Sequence, residues 1–79
     1  MPQKTTNDFF LLAFGSHLQS LRKNIGLSQE ETADRAGMHV TYLSGIERGF
    51  RNPSIRNVRR LAKALGVNTK ELFYFEEPS

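Results

Sequence analysis

The sequence predicts an all-α fold in which five helices form one compact bundle. Apolar residues recur at three- and four-residue spacing, and no segment shows the sustained two-residue alternation of a strand. Glycines follow four of the predicted helical segments, where a helix C-terminus favours a residue of positive φ. The chain of 79 residues has room for one core, and the absence of cysteine excludes disulfides and thiolate zinc sites.

The first helix is predicted from about Asp8 to Asn24, with Gly26 at its C-terminal cap. Its apolar stripe consists of Leu11, Phe14, Leu18, Leu21 and Ile25. The longest apolar run spans residues 9–14, far short of the roughly 20 residues that a membrane span needs. We interpret this run as part of a buried helix in a soluble protein without a membrane partner. Residues 1–7 are polar and are expected to form a disordered tail.

The second and third helices are predicted on either side of a glycine. Ser28 and Glu31 have the spacing of a capping box, which starts the second helix. Gly37 ends that helix, and the third is predicted over about residues 39–48. Two short helices joined by a tight turn containing glycine form a helix-turn-helix, here over about residues 29–48, whose second helix can enter the major groove of DNA.

The fourth helix is predicted to be capped by Ser54 and ended by Gly66. A short fifth helix follows over about residues 68–73, and residues 76–79 are expected to fray. The single DNA-binding domain therefore spans residues 8–75. Helical spacing assigns the inward face of the fourth helix to Ile55, Val58, Leu61, Ala62 and Leu65.

Six blocks of residues occur in order over about residues 14–73. They are Leu21-Arg22, the run from Gly26 to Glu31, Ala33 with Ala36-Gly37, the run from Tyr42 to Gly49, Asn52-Pro53-Ser54, and the run from Leu61 to Val67. This order and spacing resemble the Cro/cI-type (xenobiotic-response-element) helix-turn-helix family, which has the fold of the phage-repressor DNA-binding domains. Residues 41–48, followed by Arg51 and Asn52, are most similar to the small controller proteins of restriction–modification systems.

The resemblance implies a regulator that binds double-stranded DNA as a homodimer at an inverted repeat. It implies a cytoplasmic protein without a metal, a cofactor or a small-molecule ligand, and RNA polymerase is a candidate second partner. In the family pattern Gln29 binds a phosphate, whereas Arg51 and Asn52 anchor the DNA backbone. The full set of expected DNA-contacting residues is Gln29, His39, Val40, Thr41, Tyr42, Ser44, Arg48, Arg51 and Asn52.

The distribution of charge agrees with a nucleic-acid partner. The chain has a net charge of +3, yet residues 48–70 contain seven basic residues and no acidic one. A basic surface beside the third helix would attract DNA phosphates. The alternative is a solvated outer face of the fourth helix, formed by Arg56, Arg59, Arg60 and Lys63.

The family pattern also concerns three internal positions, an ion pair and a threonine. The resemblance implies a buried salt bridge between Arg22 and Glu47, which would tie the first helix to the end of the third. The alternative is two separate surface charges. Thr32 stands where the family usually has leucine, so that less apolar area is expected to be buried there.

Four bulky residues near the C-terminus cannot all face one small core. We expect them to contribute a homodimer interface, with the alternative that Leu72 and one aromatic side chain complete the core. The four are Leu72, Phe73, Tyr74 and Phe75. Their expected exposure also fits an alternative function, that of an antitoxin or other protein-interaction module that binds DNA as well.

No catalytic site is expected. His17 and His39 are the only histidines, and neither stands in the pattern of a metal site or a catalytic triad. The pair Glu30 and Glu31 is better explained by its place at a helix N-terminus. The short chain leaves no room for a sensor domain, so regulation by protein concentration is expected.

Overall fold

The computed structural model describes residues 8–78. The helices are α1 (Phe9–Ile25), α2 (Gln29–Ala36), α3 (Val40–Glu47) and α4 (Ile55–Leu65), followed by a 3₁₀ helix (Thr69–Phe73). The all-helical class is confirmed, since no strand occurs within residues 8–78. The predicted fifth α-helix is instead the 3₁₀ helix, because short helical segments readily adopt the tighter i→i+3 pattern. The predicted tail of residues 1–7, and Ser79, lie outside the described residues.

Capping side chains start the helices where the sequence predicts. The hydroxyl of Ser54 accepts from the amide of Asn57 at 3.1 Å. In the capping box of α2, Ser28 Oγ accepts from the amide of Glu31 at 2.9 Å, and the Ser28 amide donates to the Glu31 carboxylate at 2.9 Å. This amide, followed by the hydroxyl, lowers the pKa of Glu31. Both bonds are therefore present at neutral pH, and the contribution of the Glu31 carboxylate is lost as the pH falls through its lowered pKa, whereas the bond to Ser28 Oγ does not titrate.

The core lies where α1 crosses α3 and where α2 and the 3₁₀ helix pack on α4. Its completely buried apolar side chains are Leu18, Leu43, Ile46, Leu61 and Leu72. Thr32 is also fully buried, and its hydroxyl donates to the Ser28 carbonyl at 2.9 Å. This bond offsets the cost of burying a hydroxyl group at that position.

Several apolar side chains that the periodicity assigned to the core are exposed. Phe9, Phe10 and Ile25 lie at the two ends of α1, beyond the cover of the other helices, and all three are exposed. Ile55 is 89% exposed, because an open apolar groove, and no neighbouring helix, lies beside the first turn of α4. The run 9–14 does contribute to the core through Phe14, whereas the predictions that Ile25 belongs to the buried stripe and that Ile55 faces inward are wrong.

Gly15 allows α1 to approach the C-terminal end of α3 at backbone distance. A Cβ atom at this position would lie 2.5 Å from the carbonyl oxygen of Glu47 and even closer to that of Ile46. Both obstacles are backbone atoms, which cannot move aside as a side chain can. The glycine is therefore required by packing within α1, where helix propensity alone would favour alanine.

Replacing Gly15 with alanine should therefore destabilise the protein, although the same change in an open helix is stabilising. We expect a loss of about 1–3 kcal/mol in the free energy of unfolding, the usual cost of overpacking. Urea denaturation of Gly15→Ala measures it. The control is Ser16→Ala, an exposed neighbour in the same helix, which should change stability by less than about 0.5 kcal/mol. Equal stability of Gly15→Ala and the wild type would contradict the close approach.

Candidate nucleic-acid interface

The turn between α2 and α3 brings the two helices together. Gly37 ends α2 with a φ of 70°, in the left-handed region that favours glycine. The amide of Met38 donates to the Ala33 carbonyl at 3.0 Å, and α3 begins two residues later at Val40. Ala33 is buried, and its small side chain lets the helices pack closely. The helix-turn-helix predicted over residues 29–48 is confirmed.

One face of α3 lies in the core and the opposite face is open to solvent. Leu43 and Ile46 are buried, whereas Thr41 is exposed and Ser44 is half-buried. Thr41 and Ser44 are three residues apart and therefore neighbours on the helix surface. Their hydroxyl groups are available to a partner lying along α3.

His39 stands immediately before α3 and contacts the first of these hydroxyls. Its exposed imidazole makes no cap hydrogen bond to the helix backbone. Instead, Nδ1 lies 2.9 Å from Thr41 Oγ1. The tautomer of His39 decides which of the two atoms donates. This contact gives the Thr41 hydroxyl a preferred direction before any ligand is bound.

Val40 and Tyr42 are half-buried and pack partly against the core. Val40 precedes the buried Leu43 by three residues, which turns its side chain partly inward, so Val40 is less exposed than the sequence predicted. The Tyr42 hydroxyl accepts a hydrogen bond from Asn57 Nδ2 at 3.2 Å, tying α3 to α4. Its own proton stays available for an acceptor such as a phosphate oxygen.

The loop after α3 is fastened to the carbonyl of Gly45. This oxygen accepts from the amide of Phe50 at 2.8 Å and from that of Arg51 at 3.2 Å. A Cβ atom on Gly45 would lie 2.6 Å from Arg51 Cγ, so the Arg51 side chain lies across α3 at this glycine. Arg51 and Asn52 are exposed, and the loop presents both beside the open face of α3.

Phe50 and Gly45 were not predicted from the sequence to contribute to this surface. The Phe50 ring is 57% exposed, and the guanidinium of Arg48 lies 4.5 Å from its centroid. This stacking restricts a cation that was expected to bind DNA. An aromatic residue between two arginines in a basic loop could have been recognised as a signal for Phe50. The requirement at Gly45 depends on the path of Arg51 in space and had no signal in the sequence.

A buried polar network lies behind this surface, centred on the carboxylate of Glu47. Arg22 Nε donates to Glu47 Oε2 at 2.6 Å, and Arg22 Nη2 donates to Oε1 at 3.0 Å. The two side chains are 7% and 0% exposed, respectively. Arg22 Nη1 also donates to the Leu27 carbonyl at 2.8 Å. The ion pair implied by the family resemblance is therefore present and buried.

Gln29 belongs to the same network. Its Nε2 donates to Glu47 Oε1 at 2.9 Å, and Gln19 Nε2 donates to the same oxygen at 3.3 Å. An amide nitrogen carries two protons, so one N–H of Gln29 stays uncommitted. The expected phosphate-binding role of Gln29 is thus limited to that proton and to its backbone amide in the first turn of α2. Glu47 fixes the orientation of the side-chain amide, and α2 fixes that of the backbone amide.

Basic side chains are exposed along the loop and α4. The seven between residues 48 and 70 are Arg48, Arg51, Arg56, Arg59, Arg60, Lys63 and Lys70, and none of them is buried. Arg48 and Arg51 adjoin the open face of α3, whereas four others lie on α4. The structure therefore places only the loop pair, Arg48 and Arg51, directly beside the open face of α3.

An open apolar groove separates the start of α1 from the start of α4. Its volume is about 290 Å³. It is lined by Phe10, Leu11, Phe14, Asn52, Pro53, Ile55, Val58 and Phe73. Asn52 belongs both to this lining and to the loop after α3. The groove is thus continuous with the candidate DNA-binding surface.

The four C-terminal residues expected at a dimer interface divide into two groups. Leu72 is 0% exposed and completes the core, so its assignment to the interface is wrong, because α4 and α1 cover it within one chain. Phe75 is half-buried and packs edge-to-face against Phe14, with ring centroids 6.3 Å apart. Phe73 and Tyr74 are exposed and stay candidates for contact with a second copy.

Within residues 8–78 no helix is long and apolar enough to cross a membrane. The same residues contain no cluster of three or more histidine, aspartate or glutamate side chains placed to hold a metal ion.

The chain has clear relatives among known proteins. A model of the helix-turn-helix family matches residues 18–72. Control protein C.BamHI of Bacillus amyloliquefaciens is 44% identical over 71 residues, which cover 89% of this chain and 86% of that protein.

Solved structures of controller proteins share the fold. The restriction–modification controller protein C.AhdI of Aeromonas hydrophila is 46% identical, with a TM-score of 0.79 over 80% of this chain and 96% of that one. C.Esp1396I bound to a 19-base-pair DNA duplex is 32% identical, with a TM-score of 0.77 over 84% of this chain and 88% of that one. The chain therefore belongs to the XRE-type helix-turn-helix family and is similar to the restriction–modification controller proteins within it.

Proposed function

We propose that this chain is a transcriptional regulator that binds double-stranded DNA as a homodimer at an inverted repeat. The observation that carries the proposal is the open face of α3, with Thr41 and Ser44 flanked by the cations Arg48 and Arg51. An α-helix fits the major groove, and phosphate contacts beside it hold its position on the duplex. The similar controller protein C.Esp1396I binds a DNA duplex, which supports the same role here.

Base recognition is assigned to α3. The hydroxyls of Thr41 and Ser44 can donate to or accept from base edges, and His39 directs the first of them. The half-buried Val40 can offer only an apolar contact, for example to a thymine methyl group.

Backbone contacts are assigned to the groups around α3. Arg48 and Arg51 supply charge, and Asn52 and the free proton of Tyr42 supply neutral donors. The N-terminus of α2 adds the remaining N–H of Gln29, at a position where helix amides favour an anion.

The homodimer is assigned to the apolar groove. Ile55 and Phe10 are exposed on its walls, and Phe73 is 46% exposed beside them. A contiguous exposed apolar surface of this kind is typical of an interaction site. Because Asn52 joins the groove to the loop after α3, a second copy docked here would set the spacing between two α3 helices. Repressors of this kind bind half-sites about 34–36 Å apart.

The proposed biological role is that of a restriction–modification controller protein. Its support is the similarity to C.BamHI and C.AhdI. In this proposal residues 8–75 act as one DNA-binding domain in the cytoplasm and have no enzymatic activity. RNA polymerase is a candidate partner at the promoters that the protein would control.

The salt dependence of DNA binding tests the phosphate contacts. We expect the logarithm of the affinity for a pool of random 30-base-pair duplexes to fall steeply with the logarithm of salt concentration. Arg51→Ala should weaken binding and reduce this slope by about 1. The matched control is Lys23→Ala, which removes the same charge from the last turn of α1, outside the basic segment 48–70, and should leave the slope unchanged. Fluorescence anisotropy measures the salt dependence of binding for the wild type and for both variants. Absence of duplex binding by the wild type at low salt would refute the proposal.

A further inference from the structure

The apolar groove is flanked by opposite charges at its two ends. Two hollows adjoin it at Phe73, one lined by Phe73, Tyr74, Phe75 and Glu76 and the other by Lys70, Glu71, Phe73 and Tyr74, so that this end carries two acids and one base. On the other side, a hollow adjoining it at Ile55 is lined by Ile55, Arg56 and Arg59. The surface therefore runs from Glu76, across Phe73 and Ile55, to Arg59.

The backbone at each end of this surface is fixed, at Arg59 by α4 and at Glu76 by the packing of the preceding residue. Arg59 lies one helical turn after Ile55 on the same side of α4. Glu76 directly follows Phe75, whose ring lies 5.7 Å from that of Phe10 and 5.6 Å from that of His17. Both charged side chains are exposed.

Neither charge is neutralised inside the described part of the chain. Within residues 8–78 the one ion pair is that between Arg22 and Glu47. Arg59 and Glu76 are therefore available to a partner.

We propose that this surface is self-complementary, so that in the homodimer Arg59 of each copy pairs with Glu76 of the other. The inference rests on the homodimer proposed above and specifies its contact. In a two-fold interface residue i of one copy meets residue j of the other, and j meets i. A two-fold axis that crosses the groove at right angles to the line from Glu76 to Arg59 places the basic end of one copy on the acidic end of the other. The apolar centres meet between them, in the usual arrangement of an apolar core with a polar rim.

The symmetry makes a charge-reversal experiment decisive. In Arg59→Glu alone, two glutamates oppose each other at both ends of the interface, and in Glu76→Arg alone two arginines do so. A heterodimer of the two variants restores an opposite-charge pair at both ends. The double variant Arg59→Glu/Glu76→Arg restores the pairs within a homodimer.

The measurement is sedimentation equilibrium without DNA at low salt, with native mass spectrometry to identify the heterodimer. Each single variant should dimerise roughly 10- to 100-fold more weakly than the wild type, because two attractive rim pairs become repulsive. The equimolar mixture and the double variant should recover most of the loss. High salt should reduce all the differences. Both changes are at exposed positions, and circular dichroism checks that each variant is folded.

Other outcomes overturn the inference in distinguishable ways. If both single variants dimerise as the wild type does, or if the mixture associates no better than its components, the charge pairing is wrong and the homodimer stands. If the wild type itself is a monomer at tens of micromolar, with and without DNA, the homodimer is wrong as well.

Discussion

Replacing Glu47 with alanine should cost about 3–5 kcal/mol of the free energy of unfolding, the largest effect that we expect from any single change to this protein. Arg22 would be left as a buried charge without its partner, and removal of one member of a buried ion pair is costly for that reason. The amides of Gln19 and Gln29 would also lose their acceptor.

Urea denaturation measures this effect, with Asp34→Ala as the control. Asp34 is an exposed acid on α2, so its loss should change stability by no more than about 0.5 kcal/mol. A double-mutant cycle with Arg22→Met should give a coupling energy above about 1 kcal/mol, because the two side chains are in direct contact. A loss below about 1 kcal/mol for Glu47→Ala would contradict a stabilising buried pair.

Replacing Ile55 with aspartate should abolish dimerisation and weaken binding to a duplex with two half-sites by about 10²- to 10⁴-fold. Linking two binding modules typically raises affinity by a factor of this size, and a monomer would lose it. Folding should be preserved, because Ile55 is exposed and an acidic residue is favourable in the first turn of a helix.

The control is Ile25→Asn, which replaces an exposed isoleucine outside the groove by a polar residue without placing an acid at the C-terminus of α1, where it would oppose the helix dipole. Two measurements distinguish a loss of dimerisation from the loss of a direct DNA contact. They are sedimentation without DNA and fluorescence anisotropy with duplexes that contain one or two half-sites. We expect Ile55→Asp to bind the single half-site as the wild type does. An equal loss of affinity for both duplexes would instead indicate that Ile55 contacts DNA. Normal dimerisation of Ile55→Asp would show that the groove does not form the dimer interface.

Helix boundaries could be predicted because they depend on local chemistry. The capping box at Ser28 and Glu31 and the left-handed glycines act over three or four residues, and they lie where the pattern placed them. The open face of α3 was predictable for the same reason, since Thr41 and Ser44 are set apart from Leu43 by helical spacing alone.

Burial at the helix ends could not be predicted in the same way. Ile55 has the correct spacing for the core, but periodicity gives the direction of a side chain and not whether another helix covers it. Leu72 shows the opposite case, because tertiary packing selects it for the core from a run of four bulky residues. Close approaches at Gly15 and Gly45 depend on segments distant in the sequence or on the path of a loop. They become visible only once the chain is folded.

The roles of individual residues in the candidate site could also be predicted only in part. Gln29 matches a phosphate-binding position, yet its side chain donates a hydrogen bond to Glu47. Eighteen residues separate the two in the chain, so that neither spacing nor composition indicates the contact. Phe50 was overlooked because a single aromatic residue in a loop fits no periodic pattern.

Selection of bound sequences from a pool of random duplexes tests most directly that α3 reads DNA as part of a symmetric dimer. The wild type should enrich an inverted repeat whose half-sites lie about one helical turn apart. Thr41→Ala should alter base preference at symmetry-related positions in both half-sites while leaving the spacing unchanged. Enrichment of no sequence, or of a site without two-fold symmetry, would contradict the reading of DNA by α3 in a symmetric dimer. Enrichment of no sequence would also favour the alternative of a protein-interaction module, such as an antitoxin.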